Sequence, residues 1–198
     1  MTKRLSKENR KSEILEAARE VFLEKGFSKT TMEDVIARTT LSKGGVYHYY
    51  SNTHEMIIDL CMEGNRYRMD IMSDHLKEFG TDPRRVTDPE MIADLITDKV
   101  LDDNPLMDLY VMLLGELKYD PELRELFGTI VAKSKKELTE FFSKNVVAEG
   151  IDDSGFFLLT DIINAFILGA NNLGAAERFR ENREVIREMM KAAIVNIK

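Results

Sequence analysis

The sequence predicts an all-α protein. Apolar residues recur every three or four positions through most of its 198 residues, which is the period of an amphipathic helix. Alternation of apolar and polar residues never lasts more than a few positions, so no segment is typical of a strand. A good capping residue precedes each of the four prolines, and three of these pairs mark helix starts, at Asp88-Pro89, Asn104-Pro105 and Asp120-Pro121, whereas Asp82-Pro83 is assigned to a loop.

Three helices are predicted in the first 50 residues. The first begins near Glu8, carries apolar residues at helical spacing and ends at Gly26, a residue suited to close a helix. Thr31 and Asp34 resemble a capping box, with Asp in the place of Glu, at the start of a short second helix. After a tight turn, Ser42 caps a still shorter third helix. This order of elements is the helix-turn-helix arrangement, whose last helix enters the major groove of DNA.

Residues 42–50 carry the donors of that last helix. Val46 and Tyr50 are four positions apart and are expected to pack inward. Two glycines leave the first turn bare, so its N–H groups and the helix dipole favour a phosphate. We expect DNA contacts from Thr31, Ser42, Lys43, Gly44, Gly45, Tyr47, His48 and Tyr49. The alternative for Tyr47 and Tyr49 is a place in the core.

The run from Ser12 through Glu55 contains three spaced motifs, AA-x-x-x-F-x-x-x-G-F, T-T-x-x-D-V and SKG-x-x-Y-x-Y-Y. In these motifs it resembles the DNA-binding domain of the TetR family of bacterial transcriptional regulators. The resemblance covers about a quarter of the chain. It implies a homodimer that reads a palindromic operator, a long helix that links the reader to a sensor, and an effector pocket in the second domain.

The sequence departs from the family pattern at three positions. Thr40 stands where the turn usually has glycine, and a left-handed β-branched residue costs about 1–2 kcal/mol, so we expect a variant turn. Thr53 stands where the next helix usually opens with a lysine that contacts phosphate, so this DNA contact is expected to be weaker. Ile36 replaces a small residue and is expected to change packing only.

The charge of the chain is unevenly distributed. The net charge of −7 argues against a general nucleic-acid binder. Residues 1–50, however, contain ten Lys and Arg against seven Asp and Glu, whereas the remainder contains eighteen against twenty-eight. This segregation has the sign that DNA binding needs, although a basic tail is also typical of a solvated terminus.

The composition predicts a soluble, cytoplasmic protein without membrane association or cofactor. No 18-residue apolar stretch lacks a charge, and the lone Cys61 excludes an intramolecular disulfide and is expected to be a packing residue. His48, His54 and His75 are too far apart to share a metal within one subunit. Walker, dinucleotide-binding and G-x-S-x-G motifs are absent from the sequence, so we predict no enzyme.

A domain boundary is predicted after residue 52, with a DNA-binding domain at 1–52 and a helical effector-binding and dimerisation domain at 53–198. Helices are expected over 53–79, 89–101, 105–118, 121–147, 153–173 and 182–197. The last two are so apolar that they fit the four-helix dimer bundle that the resemblance implies; packing within the subunit is the alternative. The expected interface residues are Phe156, Ile163, Ile167, Ala170, Met190 and Ala193.

An effector pocket is implied by the resemblance and permitted by the sequence. Methionines, aromatic rings and a few polar anchors on two of the predicted helices can line a mostly apolar cavity. The candidates are Met107, Tyr110, Met112, Glu116, Tyr119 and Asn164. Core packing is the alternative for each of them.

These observations predict an N-terminal three-helix helix-turn-helix DNA-binding domain joined by a long helix to a C-terminal helical ligand-binding and dimerisation domain. The expected function is a homodimeric repressor that binds a palindromic operator and is released by a small-molecule effector of unknown identity. Two alternatives stay open. One is a DNA-bound interaction protein whose acidic helical half docks a protein partner, and the other is an enzyme or ligand carrier with a vestigial DNA motif.

Overall fold

The computed structural model describes residues 7–78, 88–145 and 153–197, and these residues form ten helices and no strand. The helices are α1 Lys7–Lys25, α2 Met32–Ile36, α3 Lys43–Tyr47, α4 Thr53–Glu78, α5 Pro89–Val100, α6 Pro105–Glu116, α7 Pro121–Asn145, α8 Asp153–Asn172, α9 Ala176–Glu181 and α10 Arg183–Asn196. The all-α prediction is therefore confirmed.

Capping explains why most helix starts could be predicted. The carboxylate of Asp88 accepts the N–H of Glu90 at 3.0 Å, and the side-chain oxygen of Asn104 accepts the N–H of Leu106 at 2.8 Å. Both caps precede a proline at the first helical position, as the sequence indicates. The short helix α9 was not predicted, because the residue before it, Ala175, forms no side-chain cap.

The described chain divides into two compact units. The first contains α1 to α3, α4 as far as Gly64, all of α6 and α7 as far as Phe127. The second contains the remainder of α4 and α7 together with α5, α8, α9 and α10. Helix α6 therefore belongs with the N-terminal helices, whereas the boundary predicted after residue 52 stays a prediction.

The core of the first unit is built around α1, which packs against α2 and α6. The α1 side chains that face inward are completely or almost completely buried, and they are Ile14, Leu15, Ala17, Ala18, Val21 and Phe22. Phe27, just after the helix, packs its ring 5.5 Å from that of Phe22. Gly26 has φ +81°, so α1 ends in the left-handed conformation that glycine adopts without strain.

The second unit is held together by α5, which packs against both α8 and α10. Ala93, Thr97 and Val100 of α5 are buried, as are Ile186 and Met190 of α10. The hydroxyl of Thr97 donates to the carbonyl of Ala93 at 2.7 Å, so burying this polar side chain leaves no unmet hydrogen bond.

Helix α8 is the one helix among the described residues that is long and apolar enough to cross a membrane by length and composition, over Ser154–Asn172. A core helix of a globular protein passes the same test. Ile163, Ile167 and Ala170 are buried on its inner side, so one side of α8 already belongs to a protein core.

An ion-pair ladder runs along the contact between α5 and α10. Basic residues at four-residue spacing on α10 face acidic residues at four-residue spacing on α5, namely Arg183, Arg187 and Lys191 against Asp98, Asp94 and Glu90. Arg183 lies 2.9 Å from Asp98 and Arg187 lies 3.0 Å from Asp94. Hydrogen bonds from Lys191 and then Arg187 lower the pKa of Glu90. The ladder fixes the register between the two helices.

We predict that Arg187→Met lowers the melting temperature at pH 7, and that this difference shrinks in acid. Because the fold lowers the pKa of Glu90, the stabilisation from its ion pair is fully present above pH 4.5, the ordinary pKa of this carboxyl. The stabilisation is lost as the pH falls through the lower pKa that Glu90 has in the folded protein. Circular-dichroism melts from pH 7 to pH 3 measure the effect. Arg178→Met, at an exposed arginine outside the ladder, is the control. Equal melting temperatures of the Arg187 variant and the wild type at pH 7 would contradict the prediction.

Cys61 is buried, as expected of a packing residue, and burial raises the pKa of its thiol to about 12. We predict that it resists iodoacetamide at pH 8 in the folded protein, because the thiolate is the reactive form. A rise from 9.0 to about 12 implies a reaction about a thousandfold slower than that of the unfolded chain. Mass spectrometry with and without urea measures this ratio, and rapid labelling of the native protein would refute it.

Candidate nucleic-acid interface

Helix α3 has one buried face and one exposed face. The hydroxyl of Ser42 accepts the N–H of Gly45 at 3.2 Å and caps the helix. Val46 is 0% exposed and Tyr50 is 3% exposed, so both point inward as their spacing predicts. Lys43, Gly44, Tyr47 and His48 are exposed on the other side. The structure therefore presents most of the predicted donors to solvent.

Tyr50 fixes the end of α3 to the rest of the first unit. Its hydroxyl donates to Asp59 of α4 at 2.8 Å, and Lys11 of α1 lies 2.7 Å from the same carboxylate. The Lys11 ammonium also lies 5.7 Å from the centre of the Tyr50 ring. Burial, and next the hydrogen bond to Asp59, raises the pKa of Tyr50, so the phenol remains a neutral donor. Helices α1 and α4 together position α3.

The turn between α2 and α3 is the variant that the sequence predicts. All described residues with positive φ are glycines, so Thr40 does not adopt the left-handed conformation. Instead its N–H donates to the carboxylate of Glu13 at 2.6 Å. The hydroxyl of Thr39 donates to the carbonyl of Ile36 at 3.0 Å and accepts the N–H of Leu41 at 3.3 Å. These bonds satisfy the turn without glycine.

Thr31 forms the capping box with Asp34 that the sequence predicts. Its N–H and its hydroxyl both donate to the Asp34 carboxylate, at 3.0 and 2.8 Å. Lys25 lies 2.5 Å from Asp34, and that hydrogen bond is the first cause that lowers the pKa of Asp34 to about 2. Thr31 is exposed and its N–H and hydroxyl cap α2, and its expected phosphate contact stays a prediction.

The two glycines of α3 serve different purposes. A side chain at Gly45 would meet the hydroxyl of Ser42 at 3.3 Å and Leu41 at 3.5 Å, so this glycine makes room for the helix cap. A side chain at Gly44 would meet nothing within 4 Å. Packing in the described chain thus explains Gly45, whereas Gly44 leaves a bare surface toward solvent that suits close approach of a ligand.

The remaining donors lie around Lys43. Its ammonium is 3.0 Å from the carboxylate of Glu33 on α2 and 5.7 Å from the centre of the Tyr47 ring. Tyr47 is 41% exposed, whereas Tyr49 is half-buried with its ring 5.1 Å from that of His48. Glu33 is a neighbour that the sequence analysis missed, since the two residues are ten positions apart and belong to different helices.

The start of α4 is tied to the start of α7. His54 lies 2.7 Å from Asp120, whose other oxygen accepts the N–H of Leu123 at 2.9 Å and so caps α7. The ring of Phe27 meets the His54 ring edge-on at 5.1 Å. Thr53, the first residue of α4, is half-buried, and its expected DNA contact stays a prediction. Among the described residues no group of three His, Cys, Asp or Glu could hold a metal.

The predicted effector residues have different surroundings. Met107 is buried, and Tyr110 packs against Phe127 with ring centres 6.2 Å apart. Met112 and Glu116 are half-buried in the same unit, whereas Asn164 belongs to the second unit. Tyr119 is 75% exposed, so it is the least enclosed of these residues. A pocket formed by these residues stays a prediction.

The predicted dimer residues are mostly buried within the subunit, and their place in an interface stays a prediction. Ile163, Ile167, Ala170 and Met190 are at most 8% exposed, whereas Phe156 and Ala193 are half-buried. The exposed large apolar side chains of α8 and α10 are Phe157, Leu158, Val185, Met189 and Val195. Val185, Met189 and Ala192, with Glu184 and Glu188, line a surface groove of about 430 Å³.

Similarity to known proteins supports a DNA-binding role for α1 to α4. Residues 14–60 match the family described as bacterial regulatory proteins, tetR family. An uncharacterised HTH-type transcriptional regulator of Bacillus subtilis, YfiR, is 44% identical over 72 residues. Residues 14–60 are therefore a DNA-binding domain of the TetR family type. The YfiR match spans 35% of this chain and 35% of YfiR.

Solved structures extend the similarity of fold to almost the whole chain. Salmonella enterica GusR matches with a TM-score of 0.66 at 19% identity, covering 98% of this chain and 99% of GusR. The multidrug binding protein EbrR, solved in complex with ethidium, matches with a TM-score of 0.67 at 16% identity, covering 95% of this chain and 99% of EbrR. Both confirm an N-terminal helix-turn-helix domain followed by a helical C-terminal domain.

Proposed function

We propose that the protein is a cytoplasmic, homodimeric transcriptional repressor that binds a palindromic DNA operator and is released from it by a small molecule. The observation that carries this proposal is the exposed face of α3, with Lys43, Tyr47 and His48 turned outward and Val46 and Tyr50 buried beneath them. Exposed donors on an anchored short helix suit entry into the major groove.

The exposed residues of α3 can make different kinds of contact with DNA. Lys43 reaches a base edge, since lysine donates to the acceptors of guanine in the major groove. Tyr47 and His48 donate to phosphates, which fix the register of the helix on the duplex. Gly44 lets the backbone approach closely, because its surface carries no side chain. Tyr49, half-buried, is a weaker contact.

The outward faces of α8 and α10 support the homodimer. Phe157 and Leu158 on α8 are 42% and 51% exposed, and Val185 and Met189 on α10 are 58% and 51% exposed. Large apolar side chains in such rows are typical of surfaces that pack against another protein chain. In a twofold dimer the same face of each subunit meets its copy, and two α3 helices would then read two half-sites.

Release by a ligand is supported by analogy with the fold. EbrR, of the same fold, was solved with ethidium bound. In this chain, Met107 and Tyr110 on α6 supply the adaptable apolar contacts that such a ligand needs. Binding would shift the population toward a subunit arrangement whose two α3 helices no longer match adjacent grooves.

We predict that the purified protein selects a palindromic site from a genomic DNA library, and that Lys43→Ala and Tyr47→Phe each weaken binding to it. Each variant removes a donor from the α3 surface, so we expect a loss on the order of tenfold in affinity. Because Lys43 is assigned to a base edge and not to a phosphate, Lys43→Ala is expected to change the salt dependence little. Fluorescence anisotropy at several salt concentrations gives both quantities.

The controls for this experiment are Lys136→Ala and Tyr67→Phe. Tyr67 is 44% exposed, close to the 41% of Tyr47, but it lies in the second unit. Lys136 is an exposed lysine of α7 in that same unit. Affinities equal to the wild type are expected for both. Recovery of no site better than bulk DNA would reject the repressor and favour an interaction protein with an acidic docking domain.

We predict that Met189→Asp converts the dimer into a monomer, because a charge would be buried in an apolar interface. Light scattering coupled to gel filtration measures the mass, and operator affinity is expected to fall about a hundredfold or more as one of the two half-site contacts is lost. Leu23→Asp, at an exposed leucine of α1, is the matched control and should remain dimeric. A dimeric Met189 variant would place the interface elsewhere.

A further inference from the structure

The pairing of Lys43 with Glu33 places opposite charges side by side on the proposed DNA surface. The ammonium and the carboxylate are 3.0 Å apart, and the two side chains are 66% and 63% exposed. Lys43 is the only lysine or arginine in residues 42–50, so Glu33 lies next to the one cation of the reading helix. An acidic side chain in this place repels the phosphates of any DNA that approaches.

The fold gives Glu33 only small stabilising roles, as an acid in the first turn of α2 and as the partner of Lys43. An exposed ion pair contributes only about 0–1 kcal/mol to stability, because water and salt screen it. The cap of α2 is already formed by Thr31 and Asp34. The hydrogen bond from Lys43, the first of several causes, lowers the pKa of Glu33, so the carboxylate is charged at neutral pH. Because the Glu33 carboxylate weakens DNA affinity and adds little stability, we infer that it has a role in base recognition.

The arrangement of the two charges matches the major-groove edge of one base pair. A G·C pair presents acceptors on guanine, O6 and N7, and a donor on cytosine, the N4 amino group. O6 and N4 are joined by the base-pair hydrogen bond and so lie about 3 Å apart. The Lys43 ammonium and the Glu33 carboxylate have a comparable separation. One can donate to guanine while the other accepts from cytosine.

We propose that Glu33 and Lys43 together read one G·C base pair in each half of the operator, with Lys43 on guanine and Glu33 on the cytosine amino group. The inference rests on the proposed function, since it assumes that α3 enters the major groove. Glu33 gains a base partner where it faces an amino donor, which is cytosine N4 in G·C and adenine N6 in T·A. The preference for G·C over T·A then comes from Lys43, which meets two acceptors on guanine, O6 and N7, and only O4 on thymine. Where Glu33 faces acceptors or phosphates, the same carboxylate weakens binding.

The test compares Glu33→Gln with the wild type in the DNA selection and in titrations. Titrations use the recovered operator, bulk DNA, and the same operator with adenine in place of guanine and thymine in place of cytosine in both halves, so that Glu33 faces the O4 acceptor of thymine. We expect the wild type to discriminate against the replacement by roughly ten- to a hundredfold. In the variant this ratio should fall about tenfold, while affinity for bulk DNA rises several-fold because one negative charge is gone.

Glu16→Gln is the matched control. Glu16 is an exposed carboxylate of α1 in the same unit, and it pairs with Arg19 instead of a residue of α3. This variant removes the same charge and should leave the base preference unchanged. Thermal melts of both variants are expected to match the wild type, which verifies that any change in DNA binding is not a change in folding.

The possible results separate the inference from the proposed function. Equal gains for operator, replaced operator and bulk DNA in Glu33→Gln would overturn the inference, since Glu33 would then act as repulsion alone. Two other results would overturn the inference and leave the proposed repressor function intact. One is an unchanged base preference in Glu33→Gln. The other is a wild-type operator with no required G·C pair that Glu33→Gln relaxes. A wild-type selection without any preferred site would overturn both.

Discussion

The DNA-facing surface depends on the burial of Val46 and Tyr50. Helix α3 has five residues, too few to remain helical alone, so its neighbours must supply its stability. Val46 fills the core beneath it, and the Tyr50 hydroxyl binds Asp59 of α4, which also pairs with Lys11 of α1. The exposed donors Lys43, Tyr47 and His48 keep a fixed arrangement because two neighbouring residues are held in place. Val46 is buried in the core, and Tyr50 is buried and bound to Asp59.

The charges close to α3 affect DNA binding at its exposed face more than the net charge of −7 does. Salt screens an exposed charge beyond about 8 Å at physiological ionic strength, so acidic residues farther than this from α3 have little effect on it. The acidic residues near α3 have specific partners: Asp34 caps α2, Glu13 holds the N–H of Thr40, and Glu33 binds Lys43. An acidic protein can therefore carry a DNA-binding surface, provided that its nearby carboxylates are held by donors of the fold.

The sequence predicts those features that depend on neighbours along the chain. Helix starts at capping residues, the inward placement of Val46 and Tyr50, and the variant turn at Thr40 all follow from local spacing and chemistry. It could not show which side of α8 faces the core, because that helix is apolar all round, and the structure buries Ile163 and Ile167. It could not show Glu33 beside Lys43, since their contact depends on how α2 and α3 pack.

The placement of α6 gives the proposed ligand response a physical route. Helix α6 packs against α1, and the turn after it leads to Asp120, which binds His54 in the first turn of α4. These contacts lie in the same compact unit as α3. A ligand that binds α6 differently in two conformations can thus bias α1 and α4, the two helices that hold Tyr50. Coupling between the sensor and the reader then needs only small shifts within one packed unit, without unfolding of α3.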